Sequence, residues 1–362
     1  MEHDSIELHG IAETVPLENG RLLQRVPEAV RRELNASAQS QMRRPSTSEL
    51  RFVPGDSTVE VTLSAVWPST IDDGGATDSV EADDDGNGDD NESDSSVSPE
   101  VEVVPFWGPF QTRETRRVGP EPTTLSFAMP EFLNELAPEM DADLAFDPSV
   151  CRLRFHPESD GVVLHDVRGD RRPPTADEVP NTRYLAYGTS ITDGGSASGP
   201  HLTYPHQAAR RLGWDAVNLG SSGSAHCEPA IADHIAEREG WDVATLGLSV
   251  NMFDGFSVEA FEERVSYLLD TVGATDRPVI AMTVFPFHPD MLAEPDPADP
   301  PKLAGFREAV HAAAADAPPN VRSLSGPELL DPAGLSVDVI HPGDHGMIRI
   351  GERLAAELDG SL

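Results

Sequence analysis

Lysine is almost missing from this chain. Of its 26 basic residues only Lys302 is a lysine; the rest are arginine. They face 63 acids, for a formal net charge of −37. A field of that sign repels nucleic-acid phosphates and anionic lipid, so neither nucleic acid nor a membrane surface is an expected partner. Cysteine is scarce as well. Cys151 and Cys227 lie far apart and form neither a disulfide framework nor a zinc pattern. The histidines lack metal-ligand spacing such as His-x-x-x-His with a partner acid, so no metal and no cofactor are expected. No run of 18 apolar residues exists to span a bilayer. The N-terminal MEHDSIELHG carries acid where a signal peptide carries base, so a cytoplasmic location is expected.

The acidity has a physical reading. A chain this negative repels itself in dilute buffer. In molar salt the screening length falls to about 3 Å and the repulsion largely vanishes. Together with the lysine shortage, this points to a salt-rich cytoplasm of the kind found in halophilic archaea. What the chain does contain is enough for a core: 38% of its residues are hydrophobic, inside the globular range once Gly is added. At 362 residues it suggests two domains or one large one. Its 32 prolines favour loops and sheet edges over a helical bundle.

Residues 1–175 read as β. Short alternating runs recur at Ser5–Leu8, Leu50–Val53, Val59–Val66, Val101–Trp107, Thr123–Met129, Val150–Phe155 and Val162–Val167. Turn pairs such as Pro54-Gly55 and Asp160-Gly161 separate them, which predicts a sandwich or jelly roll. Helical interruptions are expected near Pro27–Asn35 and Pro130–Leu136. Residues 72–100 hold twelve acids, no base and little to bury, which predicts a disordered insert. It falls between two strand candidates and so reads as a long hairpin loop. Removing it leaves −25 on the remainder, so the acidity belongs to the whole surface.

Residues 181–362 alternate β and α. Strands are expected at Arg183–Tyr187, Ala216–Leu219, Val243–Val250, Pro278–Val284 and Val321–Leu324. Helices are expected at Tyr204–Leu212, Pro229–Arg238, Val258–Val272, Ala304–Ala315 and Gly346–Leu358. Five parallel strands with crossover helices make a doubly wound α/β sheet. Arg171-Arg172-Pro173-Pro174 is a stiff stretch suited to the junction.

In such a sheet ligands bind outside the carboxyl ends of the strands. Polar residues collect there: Gly188-Thr189-Ser190-Ile191-Thr192, then Asn218-Leu219-Gly220-Ser221-Ser222-Gly223, then Ser249-Val250-Asn251-Met252, and Asp338-Val339-Ile340-His341-Pro342 before the last helix. A serine hydroxyl needs a base to take its proton, and His341 is the candidate. Its ring needs a carboxylate on the other nitrogen, and Asp338 stands three residues earlier. An attacked ester carbonyl becomes an oxyanion that needs donors. The N–H of Ser190, the N–H of Gly223 and the amide of Asn251 are three. Gly220 reads as a turn residue at the strand end. His226 is a candidate for the pocket wall. Cys227 reads as a packed thiol, Phe106-Trp107 as core, and His201, Tyr204 and His206 as helix start and packing.

These four blocks, in this order, resemble the SGNH hydrolase superfamily, also called GDSL esterases. The resemblance covers about Asn181–Leu362. It implies catalysis by Ser190, His341 and Asp338, with Ser190, Gly223 and Asn251 forming the oxyanion hole. The name-giving Gly-Asp-Ser-Leu is Gly188-Thr189-Ser190-Ile191 here. The third block, often Gly-x-Asn-Asp, has Gly247 four residues before Asn251 and Met252 after it. Arg172-Pro173-Pro174, Glu178 and Pro180 ahead of the serine block are similar to a branch with a β-sandwich before the hydrolase domain, the layout of carbohydrate esterases of the second family. That resemblance implies a serine esterase releasing small acyl groups, acetyl above all, from carbohydrates or similar alcohols. A longer-chain lipase or thioesterase, and a silent glycan-binding protein, are the alternatives. Oligomeric state is left open.

Overall fold

The structure is a computed structural model that describes residues 1–71, 98–136 and 144–360. Most of the expected acidic insert, residues 72–97, lies outside the described residues.

The N-terminal half is two antiparallel sheets. One has eight strands, with Glu49–Pro54, Cys151–Phe155 and Val101–Trp107 adjacent at its centre. The other has five, in the order Thr123–Phe127, Val59–Val66, Gly161–Arg168, Gly20–Gln24, Glu13–Leu17. Alternation sets which face is buried. Val59, Val61 and Leu63 are buried, while Glu60 and Thr62 between them are half-buried. Both sheets send such residues into one core. Leu8, Phe52 and Leu153 come from the first sheet, Val61, Leu125 and Leu164 from the second. Each such side chain contributes about 1.5–3 kcal/mol by leaving water.

The structure corrects one topological expectation. Val59–Val66 pairs with Thr123–Phe127 and Gly161–Arg168, whereas Val101–Trp107 pairs with Cys151–Phe155. The connection carrying the acidic insert therefore crosses from one sheet to the other and closes no hairpin. The hairpin of Glu13–Leu17 with Gly20–Gln24 has no clean alternation to betray it. The helical interruption is also split. One turn spans Glu28–Arg31 and a second helix spans Ala36–Gln41. Asn35 separates them, because its side chain accepts from the Ala38 N–H at 3.0 Å and so starts a new helix.

The C-terminal half is a five-stranded parallel sheet in the order Asp215–Gly220, Arg183–Gly188, Val243–Gly247, Val279–Met282, Val321–Leu324. Sequence order reverses between the first two strands and the third, which opens a crevice at their carboxyl ends. The strand expected to run to Val250 stops at Gly247, and the chain turns into a short 3-10 helix at Val250–Met252. The helix expected at Ala304–Ala315 runs over Asp299–Asp316, because Pro300 and Pro301 sit in its first turn, where no N–H is missed.

The two halves share a core and buried charge. Val26, Leu34, Ala38 and Met42 of the N-terminal half pack into the cluster beneath the parallel sheet. Arg51 reaches Asp215 through two hydrogen bonds of 2.7 and 2.6 Å and Glu49 through one of 2.7 Å. Arg152 holds the same Glu49 at 2.8 and 2.7 Å. These four buried charges are tolerated because each is matched and hydrogen-bonded.

Candidate active site

The first parallel strand ends at Gly188, in register with Gly220 on one neighbour and Gly247 on the other. Three strand ends thus meet at one level. The chain then turns into a helical segment, Ser190–Asp193, with Thr189 capping it by accepting from the Ile191 N–H. Gly220 has a different purpose from the turn expected of it. A Cβ there would run into the backbone of Asp193 and Thr192, so its lack of side chain lets the serine turn press onto the neighbouring strand. Ser190 consequently stands at a helix start, where the first amides have no intrahelical partner.

His341 and Asp338 arrive from the loop before the last helix. Ser190 Oγ lies 2.7 Å from His341 Nε2, and His341 Nδ1 lies 2.7 Å from Asp338 Oδ2. The other carboxylate oxygen, Oδ1, accepts from the N–H groups of Ile340 and His341, each at 2.9 Å, and from the Ser336 hydroxyl at 2.8 Å. One carboxylate therefore shapes its own loop and orients the ring. Val339, at the centre of that loop, has φ of +60°, a conformation disfavoured for a β-branched residue. Burial by itself would raise the Asp338 pKa. The backbone donors of His341 and Ile340, the ring and Ser336 outweigh it, and the carboxyl is held well below its usual range.

Gly223 and Asn251 sit on the neighbouring strand-end loops. Gly223 has φ of +65°, with nothing within 4 Å of where a Cβ would point, so its backbone faces open space. Asn251 Oδ1 accepts from the Ala225 N–H at 3.2 Å, which ties it to the Gly223 loop and frees Nδ2 as a donor. Ser190, His341 and Asp338 are thus brought into hydrogen-bond contact. His226 packs edge-on against Phe256, with ring centroids 5.2 Å apart; it, Gly223 and Asn251 are not among the residues lining the cavity at Ser190.

That cavity is about 380 Å³, and most of the side chains that line it are polar. Gln41, Arg44, Pro157 and Glu158 of the N-terminal half form one wall, and Ser196 and Ser222 face it beside Ser190. The β half therefore builds part of the site, which its sequence pattern does not reveal. It also braces the site from beneath. Arg25 is fully buried and donates to Gly220 O at 2.7 Å and Asn218 O at 3.3 Å, capping the end of the second parallel strand. Its other nitrogens hold Arg44 O and Gln41 O, each at 2.9 Å. Burial lowers the Arg25 pKa, and Asp193, at 3.8 Å, opposes that shift. Asp193 in turn accepts from Ser222 Oγ at 2.5 Å and from Ser46. Asn35 donates to Ser224 O and to Glu228, on the same loop as Gly223. Asp193 stands one helical turn after Ser190, and that spacing was the signal available for it. Arg25 and Asn35 left none.

Known proteins share this fold. A salicylyl-acyltransferase, SsfX3, from a tetracycline biosynthetic pathway superposes with a TM-score of 0.68 at 18% identity, covering 99% of this chain and 96% of that one. A GDSL-like lipase from Bacteroides ovatus gives 0.63 at 15% identity, with 99% and 96% covered. An active-site mutant of a family two carbohydrate esterase from Clostridium thermocellum gives 0.60 at 14%, with 98% and 97% covered. At such identities the likeness speaks for the fold, and it extends over both halves. A search of curated protein sequences finds no significant match. Residues 182–358, the α/β half, match the model of the GDSL-like lipase/acylhydrolase family.

Proposed function

We propose that this protein is a serine esterase that removes small acyl groups, acetyl above all, from carbohydrates or similar polyhydroxy alcohols. The observation that carries the reading is the unbroken chain of hydrogen bonds from Ser190 Oγ through His341 to Asp338, with 2.7 Å at each step of the ring. Ser190 Oγ attacks the ester carbonyl while its proton passes to His341 Nε2. Asp338 holds the ring and balances the imidazolium. Negative charge gathers on the carbonyl oxygen, where the N–H groups of Ser190 and Gly223 and the Asn251 amide serve as donors. His341 returns the proton to the departing alcohol and leaves an acyl-serine. Water attacks that ester, again deprotonated by His341, and the acid is released with Ser190 restored.

The polar wall supports the choice of alcohol. Gln41, Arg44, Glu158 and Ser196 suit hydroxyl groups, and among the described residues that line the cavity only Pro157 offers an apolar side chain to a long acyl chain. The acid excess and the single lysine support action in a salt-rich cytoplasm. Among the described residues no helix is long and apolar enough to cross a membrane.

The test is chemical. A fluorophosphonate should label the protein at Ser190, and Ser190→Ala should abolish both the label and acetate release from acetylated sugars in high salt. Rates on activated esters should fall as the acyl chain lengthens from two to twelve carbons. A folded protein that resists the label and releases no acetate would defeat the reading; a rate maximum at long chains would favour a lipase or thioesterase.

A further inference from the structure

A second cavity, of about 340 Å³, lies between the halves at the other end of the same strand. Its wall includes Asp215 and Ala216, whereas the serine site lies beyond Gly220. Five strand residues place the two sites roughly 17 Å apart.

In a chain of net charge −37 the lining of this cavity is inverted. Among the described residues it holds Arg152, Arg154, Arg210, His201 and His206 against one acid, Asp215, which Arg51 already grips with two hydrogen bonds. Arg154 is only 4% exposed, yet its Nη2 has no hydrogen-bond partner. Its Nε makes an ion pair with Glu49 Oε1 at 3.0 Å but no hydrogen bond. His206 is 7% exposed, and its Nε2 is unpartnered too. Thr203 Oγ1 lies 2.9 Å from His206 Nδ1. Once the threonine proton turns to that nitrogen from Pro200 O, to which it is otherwise given at 3.3 Å, Nε2 carries the ring hydrogen and is a donor. His201 Nδ1, on the same wall, is a third orphan. Buried polar groups without partners are rare in native proteins, and the Arg154 guanidinium, which can only donate, calls for an acceptor.

The remaining wall is aromatic. Phe146 lies under Arg152 at 3.5 Å, Phe106 under Arg154 at 5.1 Å, and Trp214 borders the space. Arg210 and Phe110 are exposed and stand at the mouth. We propose that this cavity is a binding site for a small anion with a flat apolar body, its charge met by Arg154 and His206 and its body by the aromatic wall. The electrostatics agree. Burial and then Arg154 lower the pKa of both histidines, His201 to about 4, so both stand neutral until an anion offsets the arginines.

Benzoate is a suitable probe, followed by calorimetry on the full chain in the salt that keeps it folded. One saturable site per chain is expected, with benzamide binding about tenfold more weakly for want of charge. His206→Phe and Arg210→Glu should each weaken benzoate about fivefold or more, while Ser190→Ala leaves it unchanged. Arg154→Met disturbs the Glu49 cluster, so the other two variants carry the test. Absence of saturable benzoate binding to the folded protein would overturn the proposal. So would binding that survives in His206→Phe and Arg210→Glu but is lost in Ser190→Ala, which would assign it to the serine site.

Discussion

At the scale of residues, Asp338 carries more than one duty. Its Oδ2 orients His341, and its Oδ1 collects three donors that hold a loop with Val339 at positive φ. Asp338→Asn keeps the size but turns an acceptor into a donor facing His341. The expected result is a fall in kcat on the order of 10³–10⁴, through the wrong ring tautomer, with KM little changed. Steady-state kinetics on an activated acetate ester measures it, and a loss below tenfold would remove Asp338 from the mechanism. The carboxyl is held far below the usual range, so Asp338 itself should contribute no ionisation to the pH–rate profile near neutrality.

At the scale of elements, the segment from Arg25 to Ser46 decides how firmly the strand-end loops are held. Arg25 caps Gly220 O and faces Asp193, which anchors Ser222 beside Gly223. Arg25→Met would leave Asp193 buried without its nearest cation. Breaking a buried pair in this way costs about 3–5 kcal/mol. We expect a lower melting temperature and, in the protein that remains folded, a drop in kcat larger than the change in KM, since the proposed oxyanion donors lose their support. Unchanged kcat at full folding would limit Arg25 to stability. The element scale also shows why sequence reading went astray in the β half. Ala36–Gln41 has no apolar periodicity, and the Glu13–Gln24 hairpin does not alternate. Both owe their form to contacts: Asn35 with Glu228, and Arg25 with the parallel sheet.

At the scale of the molecule, charge sets the conditions under which the fold persists. Glu7 has its pKa lowered to about 2: burial raises it, but Arg51 and His9 outweigh burial. Burial raises Glu49 and Asp215 too, but Arg152, Arg51 and Arg154 lower Glu49, and Arg51 and His9 lower Asp215. His201 and His234 are lowered to about 4 by burial, then by neighbouring arginines. In every case the unfolded chain binds protons more readily than the folded one. Stability therefore rises with pH in these windows and is lost as pH falls, first from about 6.5 through the histidines and then from about 4.5 toward 2 through the carboxylates. Thermal melts should show a plateau above neutrality and a two-stage decline below it. A flat melting temperature from pH 7 to pH 4 would contradict the assignment. The net charge of −37 leads to a second outcome. Melting temperature and activity should both climb with salt and fall away below about 0.5 M, as self-repulsion loses its screening. Full activity in dilute buffer would refute it.

The alternation of Val59 to Val66 and the βα rhythm after Arg183 are local signals, because a period of two or of 3.6 residues commits a segment to one face and so to one kind of packing. Ser190, Asp338 and His341 were legible for a related reason: each lies in a short block at a strand end or before a helix, and a doubly wound sheet sends all such ends to one edge. The acid excess needed no fold at all. What tertiary structure alone decided is everything that depends on pairs distant in sequence. These are the crossing of the acidic connection between two sheets, the wall that Gln41, Arg44 and Glu158 lend to the serine, and the buried arginines that lock the halves together. Such contacts leave no periodicity behind, because a buried guanidinium is placed by the carbonyls and carboxylates it meets in space and by nothing in its own neighbours along the chain.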